Sequence, residues 1–381
     1  MRIGLNLLHA QPDIGGAWTY IVNLVSALGE YDNVNTFVAF VTDASQCLVP
    51  HKPHFETVNV KLHAKSRPQR VLYENTLFQL LARNYKLDCM HWFANVQAIF
   101  NTFPAVVTVY DLLAFNKVGA FAPVKRAYRR WMITATVQRA QVLLPMSLAT
   151  GNELKQRLGA DPQRILLVPA VVEQYFKPAV SEAVSRFRNK HELPERFWLY
   201  VAHFNLHKNH CRLLEAYHLL KINGDNPWPL VLRGDPKGAE SDVASKIRQL
   251  ELSADVLMLP RLDRNELPAL YSAASAMVFP SLYEGGGIPV IEAMACGCPV
   301  AAADIPAVRE NAREAALYFN PMDVSAMAKA MLGLQTDEEQ RESRRKQGLL
   351  RAREFKAESI VPILQKAYRL AAESSHKRRN Q

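Results

Sequence analysis

Short β-branched runs alternate with amphipathic helical runs along most of this chain, and that alternation restricts it to βαβ units around parallel sheets. In the first half the strand candidates are Ile3–Leu8, Thr36–Val41, Val58–Leu62, Cys89–Trp92, Val106–Tyr110 and Val142–Pro145. Between them the helical period predicts helices over Trp18–Leu28, Val71–Arg83, Pro123–Gln138 and Ala149–Leu158. The pattern pauses over a Pro-dotted, charge-rich stretch and then resumes. Its second run of strands is Phe197–Ala202, Leu230–Leu232, Val256–Leu259, Ala276–Phe279, Val300–Ala303 and Ala315–Phe319. At 381 residues the chain exceeds one ordinary core. The expected architecture is α/β: two Rossmann-like, doubly wound parallel-sheet domains facing across a cleft. The boundaries expected are 1–175 for the first domain, 176–195 for a linker and 196–355 for the second domain. Residues 356–381 are expected to be a helix packing back toward the first domain, ending in a basic tail.

No apolar run approaches the roughly 20 residues of a spanning helix, and Met1-Arg2-Ile3 leads straight into a strand without a signal-like segment. Five scattered cysteines suit a reducing compartment. The expected location is therefore cytoplasmic, with peripheral contact at the inner face of the cell membrane. A formal charge of +10 points to anionic partners without choosing among them. Its basic residues are dispersed rather than gathered into a stripe, which argues against nucleic acid as a partner.

The segment richest in chemistry runs from Phe279 to Val300, FPSLYEGGGIPVIEAMACGCPV. A strand ends near Pro280, glycines follow, and Pro289 sits where proline is favoured at the start of a helix. Gly297 closes that helix before the next strand. Glycines let backbone approach a ligand closely, and a helix N-terminus offers N–H groups and dipole to a phosphate. Glu284 and Glu292 flank the turn, eight residues apart, where carboxylates can accept hydrogen bonds from sugar and ribose hydroxyls. A plain strand–turn–helix with a capping glutamate would account for one carboxylate, not for two placed eight residues apart around the turn.

This segment resembles the E-G-F-G-[IL]-P-x-x-E-A-M-A-x-G-x-P-V signature of the retaining glycosyltransferases of family 4, which have the GT-B fold. Glu266–Ala274 (ELPALYSAA), Ala315–Pro321 (AALYFNP) and Lys208-Asn209 before Arg212–Tyr217 (RLLEAY) are similar to that family too. The resemblance implies a metal-independent hexosyltransferase without a resident cofactor, whose co-substrate is a nucleotide diphosphate sugar. It assigns Glu284 to the donor sugar, Glu292 to the ribose, and the backbone of Gly286, Gly287 and Ile288 to sugar and diphosphate. Lys208 would neutralise the leaving diphosphate, and Arg261 and Leu262 would also touch the donor. A departing diphosphate needs such fixed positive charge.

Three positions depart from the family pattern. Gly286 replaces the loop phenylalanine, Ala202-His203 stands in place of Gly-Arg, and Tyr110-Asp111 stands in place of His-Asp. A protonated His203 would be the second phosphate cation, or that cation is absent. Tyr110 would make the hydrogen bond normally made by the histidine near the transferred sugar. Gly15-Gly16, after the first strand, resembles the loop whose amides reach the diphosphate. The basic, aromatic run at Arg126, Arg129 and Arg130 suits either a solvated face or a surface for anionic lipid or a lipid-diphosphate acceptor. Tyr73-Glu74-Asn75, Arg67 and Arg70 fall where acceptor-side residues lie in related enzymes.

His203, His207, His210 and Cys211 lack a completing cluster for a metal, and no Gly-x-Gly-x-x-Gly or P-loop is present. The expected reaction moves a hexose, mannose from GDP-mannose first and glucose or another hexose from UDP second, to a lipid-linked polysaccharide acceptor. An epimerase or hydrolase would need an acid/base pair that Glu284 and Glu292 do not form. A non-catalytic nucleotide-sugar-binding subunit is the remaining alternative, suggested by Tyr110 and His203.

Overall fold

The computed structural model describes residues 1–12, 15–62, 66–119 and 121–379. The chain divides into two units, one of residues 1–115, 121–171 and 356–381, the other of residues 116–120 and 172–355.

The first unit holds a six-stranded sheet of β1 (Arg2–Asn6), β2 (Thr36–Val41), β3 (Phe55–Asn59), β4 (Cys89–Trp92), β5 (Ala105–Val109) and β6 (Val142–Pro145). All pairs are parallel, in the order β3-β2-β1-β4-β5-β6. β4, β5 and β6 are buried along their whole length, which is why they read as continuous apolar runs rather than alternating ones. Around them pack α1 (Gly16–Tyr31), α2 (Arg67–Glu74), α3 (Leu77–Arg83), α4 (Pro123–Arg139) and α5 (Leu148–Leu158). The strand expected at 58–62 lies earlier, at 55–59, where Phe55 pairs with Phe37 and stacks on its ring at 4.8 Å.

The single helix expected over Val71–Arg83 is two helices, broken at Asn75-Thr76. The reason is competition for backbone groups. Asn75 Nδ2 donates to the Val71 carbonyl at 2.7 Å, while its Oδ1 accepts from the Ile99 N–H, also at 2.7 Å. Thr76 Oγ1 bonds back to the Leu72 carbonyl at 2.7 Å.

The second unit repeats the plan with β7 (Trp198–Val201), β8 (Leu230–Arg233), β9 (Val256–Leu259), β10 (Ala276–Phe279), β11 (Val300–Ala303) and β12 (Ala316–Phe319). Their order is β12-β11-β10-β7-β8-β9, again parallel. The segment read as a linker, 176–195, instead contains α6 (Ser181–Lys190). Its charged surface hides a buried Phe187, and α6 packs on α9 (Leu267–Ala273) while Arg188 Nη2 donates to the Ala273 carbonyl at 2.7 Å. The helices α7 (His210–Ile222), α8 (Glu240–Gln249), α10 (Ile288–Ala295), α11 (Pro306–Ala312), α12 (Val324–Thr336) and α13 (Glu338–Ala352) complete the unit.

The last helix, α14 (Ala357–Arg379), belongs to the first unit and packs on α1. Its Tyr368 hydroxyl lies 3.0 Å from His91 Nδ1, and His91 Nε2 lies 2.8 Å from Thr108 Oγ1. Burial lowers the His91 pKa to about 3, so this ring joins helix to sheet as a neutral group.

Each sheet has one topological switch point, between β1 and β4 and between β7 and β10. Ligands in doubly wound sheets bind beyond the carboxyl ends of such strands. At the second switch point the chain after β7 runs so close to the end of β8 that Gly234 has no room for a side chain. A Cβ there would sit 1.9 Å from the Ala202 carbonyl oxygen. We predict that Gly234→Ala destabilises the protein by about 2 kcal/mol or more, read as a lowered urea midpoint; a change within about 0.5 kcal/mol would contradict this packing.

Candidate functional site

The glycine turn after β10 is shaped by backbone geometry. Gly287 adopts a left-handed conformation (φ 57°) as the N-cap of α10, and a Cβ on it would lie 3.3 Å from Val308 Cγ2. Pro289 sits in the first turn of α10, as the sequence predicts. Asn311 Nδ2 donates to the Gly286 carbonyl, so the loop is fastened from α11. Because α10 is buried through its first two turns, its N-terminal dipole is held in one direction at the carboxyl end of β10.

The loop after β7 meets this turn. Asn209, in a left-handed conformation (φ 63°), donates through Nδ2 to the carbonyls of Pro280 at 3.0 Å and Pro321 at 2.8 Å. The Leu282 N–H donates to the His207 carbonyl at 2.8 Å. The buried Tyr200 hydroxyl donates to the Lys208 carbonyl at 2.7 Å and lies 3.2 Å from Ser281 Oγ. These bonds deliver Lys208 Nζ to Glu284 Oε1 at 2.6 Å, with the two side chains only 17% and 11% exposed. An ion pair this dry costs desolvation and is weak evidence for stability. Beside a helix N-terminus at a switch point, such a pair has the chemistry to meet a phosphate with its cation and hydroxyls with its carboxylate.

Glu292 lies one helical turn and more inside α10, buried, and its Oε2 accepts from the Tyr271 hydroxyl at 3.0 Å. Burial pushes its pKa up to about 7, against the pull of Arg264 and the Tyr271 hydrogen bond. Arg264 is itself held by Glu173 at 2.7 Å and donates to the Tyr175 hydroxyl at 2.7 Å. Glu284 and Glu292 thus occupy unlike surroundings, one paired with a lysine and the other within a buried Tyr–Arg–Glu network.

His203 is not placed as a cation. Its Nδ1 accepts the Asp235 N–H at 3.2 Å, and burial lowers its pKa despite nearby Asp235. The positive charge close to it comes instead from Arg233, Lys237 and Lys208. Arg233 also reaches the electrostatic surroundings of Glu292 and donates through Nη2 to the Leu262 carbonyl at 3.3 Å. Leu262 is buried and Arg261 exposed. Arg233 and Arg264 were missed by motif reading, although Arg233 ends β8, where the strand-end rule would have found it.

In the first unit, Gly15 (φ 71°) is the N-cap of α1 and Gly16 its first residue, while Asp13 and Ile14 lie outside the described residues. The Tyr110 hydroxyl donates to the Phe93 carbonyl, and its ring stands edge-on to Tyr20 at 5.6 Å. Asp111 Oδ1 accepts the Leu113 N–H at 2.8 Å. His9, which follows β1 at the switch point, was also missed. Its ring bonds to the Phe93 backbone and burial lowers its pKa to about 3, leaving a neutral Nε2 buried without a hydrogen-bond partner among the described residues. On α4, Arg129 lies over Phe121 at 4.5 Å and within electrostatic reach of Asp111. Arg130 turns away, its Nε donating to the Ala114 carbonyl at 2.8 Å, and Arg126 is half-buried. Among the described residues no three His, Cys, Asp or Glu side chains gather as a metal would require.

Residues 181–351 match the family described as Glycosyl transferases group 1. The chain is 28% identical over 268 residues to O-antigen chain mannosyltransferase B of Escherichia coli, covering 70% of each protein. It is 26% identical over 339 residues to O-antigen chain mannosyltransferase RfbU of Salmonella typhimurium, covering 84% of this chain and 87% of that one. The fold is similar to that of sucrose-phosphate synthase from Thermosynechococcus elongatus, with a TM-score of 0.77 and 23% identity over 97% of this chain and 98% of the other.

The raised pKa of Glu292 has a measurable sign. Its folded value, about 7, exceeds the ordinary 4.5, so between those pH values the folded state binds more protons than the unfolded one. Stability from this group is therefore lost as pH rises from about 4.5 through 7. We predict that Glu292→Gln melts closer to wild type at pH 4.5 and gains on it by pH 8; a difference that does not change with pH would contradict the burial of this carboxyl.

Proposed function

We propose that this chain, a glycosyltransferase of group 1 through its residues 181–351, moves mannose from GDP-mannose to a hydroxyl of a growing, lipid-linked surface polysaccharide, retaining the anomeric configuration. The observation that carries the donor half of this reading is the Lys208–Glu284 pair at the N-terminus of α10. The names of the relatives, both O-antigen chain mannosyltransferases, support mannose and a polysaccharide acceptor.

In this reading the diphosphate lies against Lys208 and the backbone of Gly286, Gly287 and Ile288. Glu284 accepts hydrogen bonds from the sugar and Glu292 from the ribose. The bond from the anomeric carbon to the diphosphate breaks, and the acceptor oxygen bonds that carbon from the same face. The acceptor proton passes to the departing phosphate oxygen, so atoms and charge balance without an enzymic nucleophile. Lys208 and the helix dipole stabilise the charge that develops on the diphosphate, and Arg233 supplies the second cation in place of His203. Tyr110 and Asp111 belong to the acceptor side, with His9 Nε2 as an additional hydroxyl acceptor.

Peripheral contact with an anionic membrane is part of the same proposal. Along α4, Val124, Tyr128 and Trp131 are exposed at helical spacing beside Lys125 and Arg129. Among the described residues no helix is long and apolar enough to cross a membrane.

The test is a thermal-shift screen with GDP, UDP, ADP and their sugars, followed by product analysis. GDP and GDP-mannose should stabilise the protein by about 2.7 kcal/mol at a hundredfold excess over Kd. Stabilisation by UDP and UDP-hexoses alone would reassign the donor, and no response to any nucleotide would overturn the reading.

A further inference from the structure

The turn before α10 is a run of glycines, Gly285-Gly286-Gly287, and the peptide between the last two has no side chain on either side to hold it. Glycine populates positive and negative φ about as readily. Turning that peptide over would carry Gly287 from its φ of 57° to about −120°, another region open to glycine. What fixes its orientation is the hydrogen bond from Asn311 Nδ2 to the Gly286 carbonyl. In a planar trans peptide the carbonyl and the N–H point in opposite directions. A Gly286 carbonyl directed at α11 therefore sends the Gly287 N–H away from α11.

Asn311 is built into its place. It is buried, where a side-chain amide is costly unless it is hydrogen-bonded. Val308, three residues earlier on the same face of α11, has Cγ2 only 3.3 Å from where a Gly287 Cβ would stand. One face of α11 thus meets the turn twice. Arg351 of α13 secures the end of this helix, its Nε donating to the Asn311 carbonyl at 2.8 Å and its Nη2 to the Glu310 carbonyl at 3.0 Å. A cation on the last carbonyls of a helix suits both their unfilled lone pairs and the dipole. One turn before Arg351, Gly348 brings α13 against α10, where an added Cβ would lie 3.2 Å from Met294 Cγ. One helix therefore braces both α10 and α11. The chain leaves α11 through Arg313 at φ 45°, a conformation that a residue with a side chain keeps only where its surroundings impose it. The Tyr318 hydroxyl donates to the Arg313 carbonyl at 2.6 Å.

We infer that Asn311 is a positioning residue of the donor site: it holds the Gly286–Gly287 peptide so that the Gly287 N–H is presented to the diphosphate of the nucleotide sugar. This deepens the proposed function and rests on it for the diphosphate. Asn311 touches no reacting atom and acts only through the peptide it holds. An N–H fixed in advance needs no reorientation as charge grows on the leaving group.

The test is a calorimetric titration of the full chain with GDP, or with UDP if wild type responds only to UDP. Asn311→Ala should weaken binding by about tenfold or more. Asn311→Asp, of the same shape but presenting an acceptor to the Gly286 carbonyl, should weaken it further. Arg351→Gln should cost less than either, and Arg351→Lys, which keeps a cation at the end of α11, less again. Melting curves show which variants are folded; if neither Asn311 variant is, weakened binding by folded Arg351→Gln supports the role and unchanged binding overturns it. Carbonyl-¹³C and amide-¹⁵N labelling of glycine confines the NMR signals to peptides that join two glycines, Gly15–Gly16, Gly285–Gly286 and Gly286–Gly287. The nucleotide should displace the Gly286–Gly287 signal in wild type and not in Asn311→Asp. A lowered melting temperature with affinity retained, or the same displacement in wild type and variant, would leave Asn311 a purely structural residue and overturn the role. Absence of any nucleotide binding by wild type would overturn both the donor reading and this role; equal binding by wild type and folded Asn311 variants would overturn only the latter.

Discussion

The Lys208–Glu284 contact of 2.6 Å is the constraint around which the second unit is arranged. Lys208 ends a single 3-10 turn (Leu206–Lys208) and Glu284 lies in a loop, so each is positioned by the backbone bonds of its connecting segment. Asn209 reaches two carbonyls from a left-handed conformation, and Gly287 caps α10 in a left-handed conformation that residues with side chains rarely adopt. Tyr200, in the middle of this arrangement, ties the strand to both loops. The pair draws the chain after β7 and the chain after β10 together across the switch point. Sheet order, helix dipole and charge therefore converge on one place.

The two carboxylates of the motif show how the same residue type is given different work. Glu284 is neutralised by a lysine that a phosphate could also engage. Glu292 is kept near its titration point by burial, with Arg264 and Tyr271 pulling the other way. A nucleotide sugar presents both demands at once: anionic oxygens that require cations, and hydroxyls that require acceptors.

The alternation of strands and helices was legible in the sequence because parallel strands buried on both faces are continuous apolar runs. Pro280–Val300 was legible because glycine and proline are placed there by backbone geometry rather than by packing. The break at Asn75-Thr76 was not, since it depends on side chains outbidding the backbone for carbonyls and on Ile99, distant in sequence. The helix at 181–190 was masked by charge, its burial resting on Phe187. Arg233, Arg264 and His9 belong to no contiguous motif; their places follow from where strands end and from what surrounds them. His203 looked like a cation by position, yet its neighbours make it an acceptor.

The central claim, that Lys208 and Glu284 act as one unit on the donor, is tested most directly by a double-mutant cycle on donor turnover with Lys208→Ala, Glu284→Ala and the double variant. The account predicts strong non-additivity: each single change lowers turnover by about a hundredfold or more, and the double variant is little worse than either. Fully additive losses, or turnover near wild type in either single variant, would contradict it.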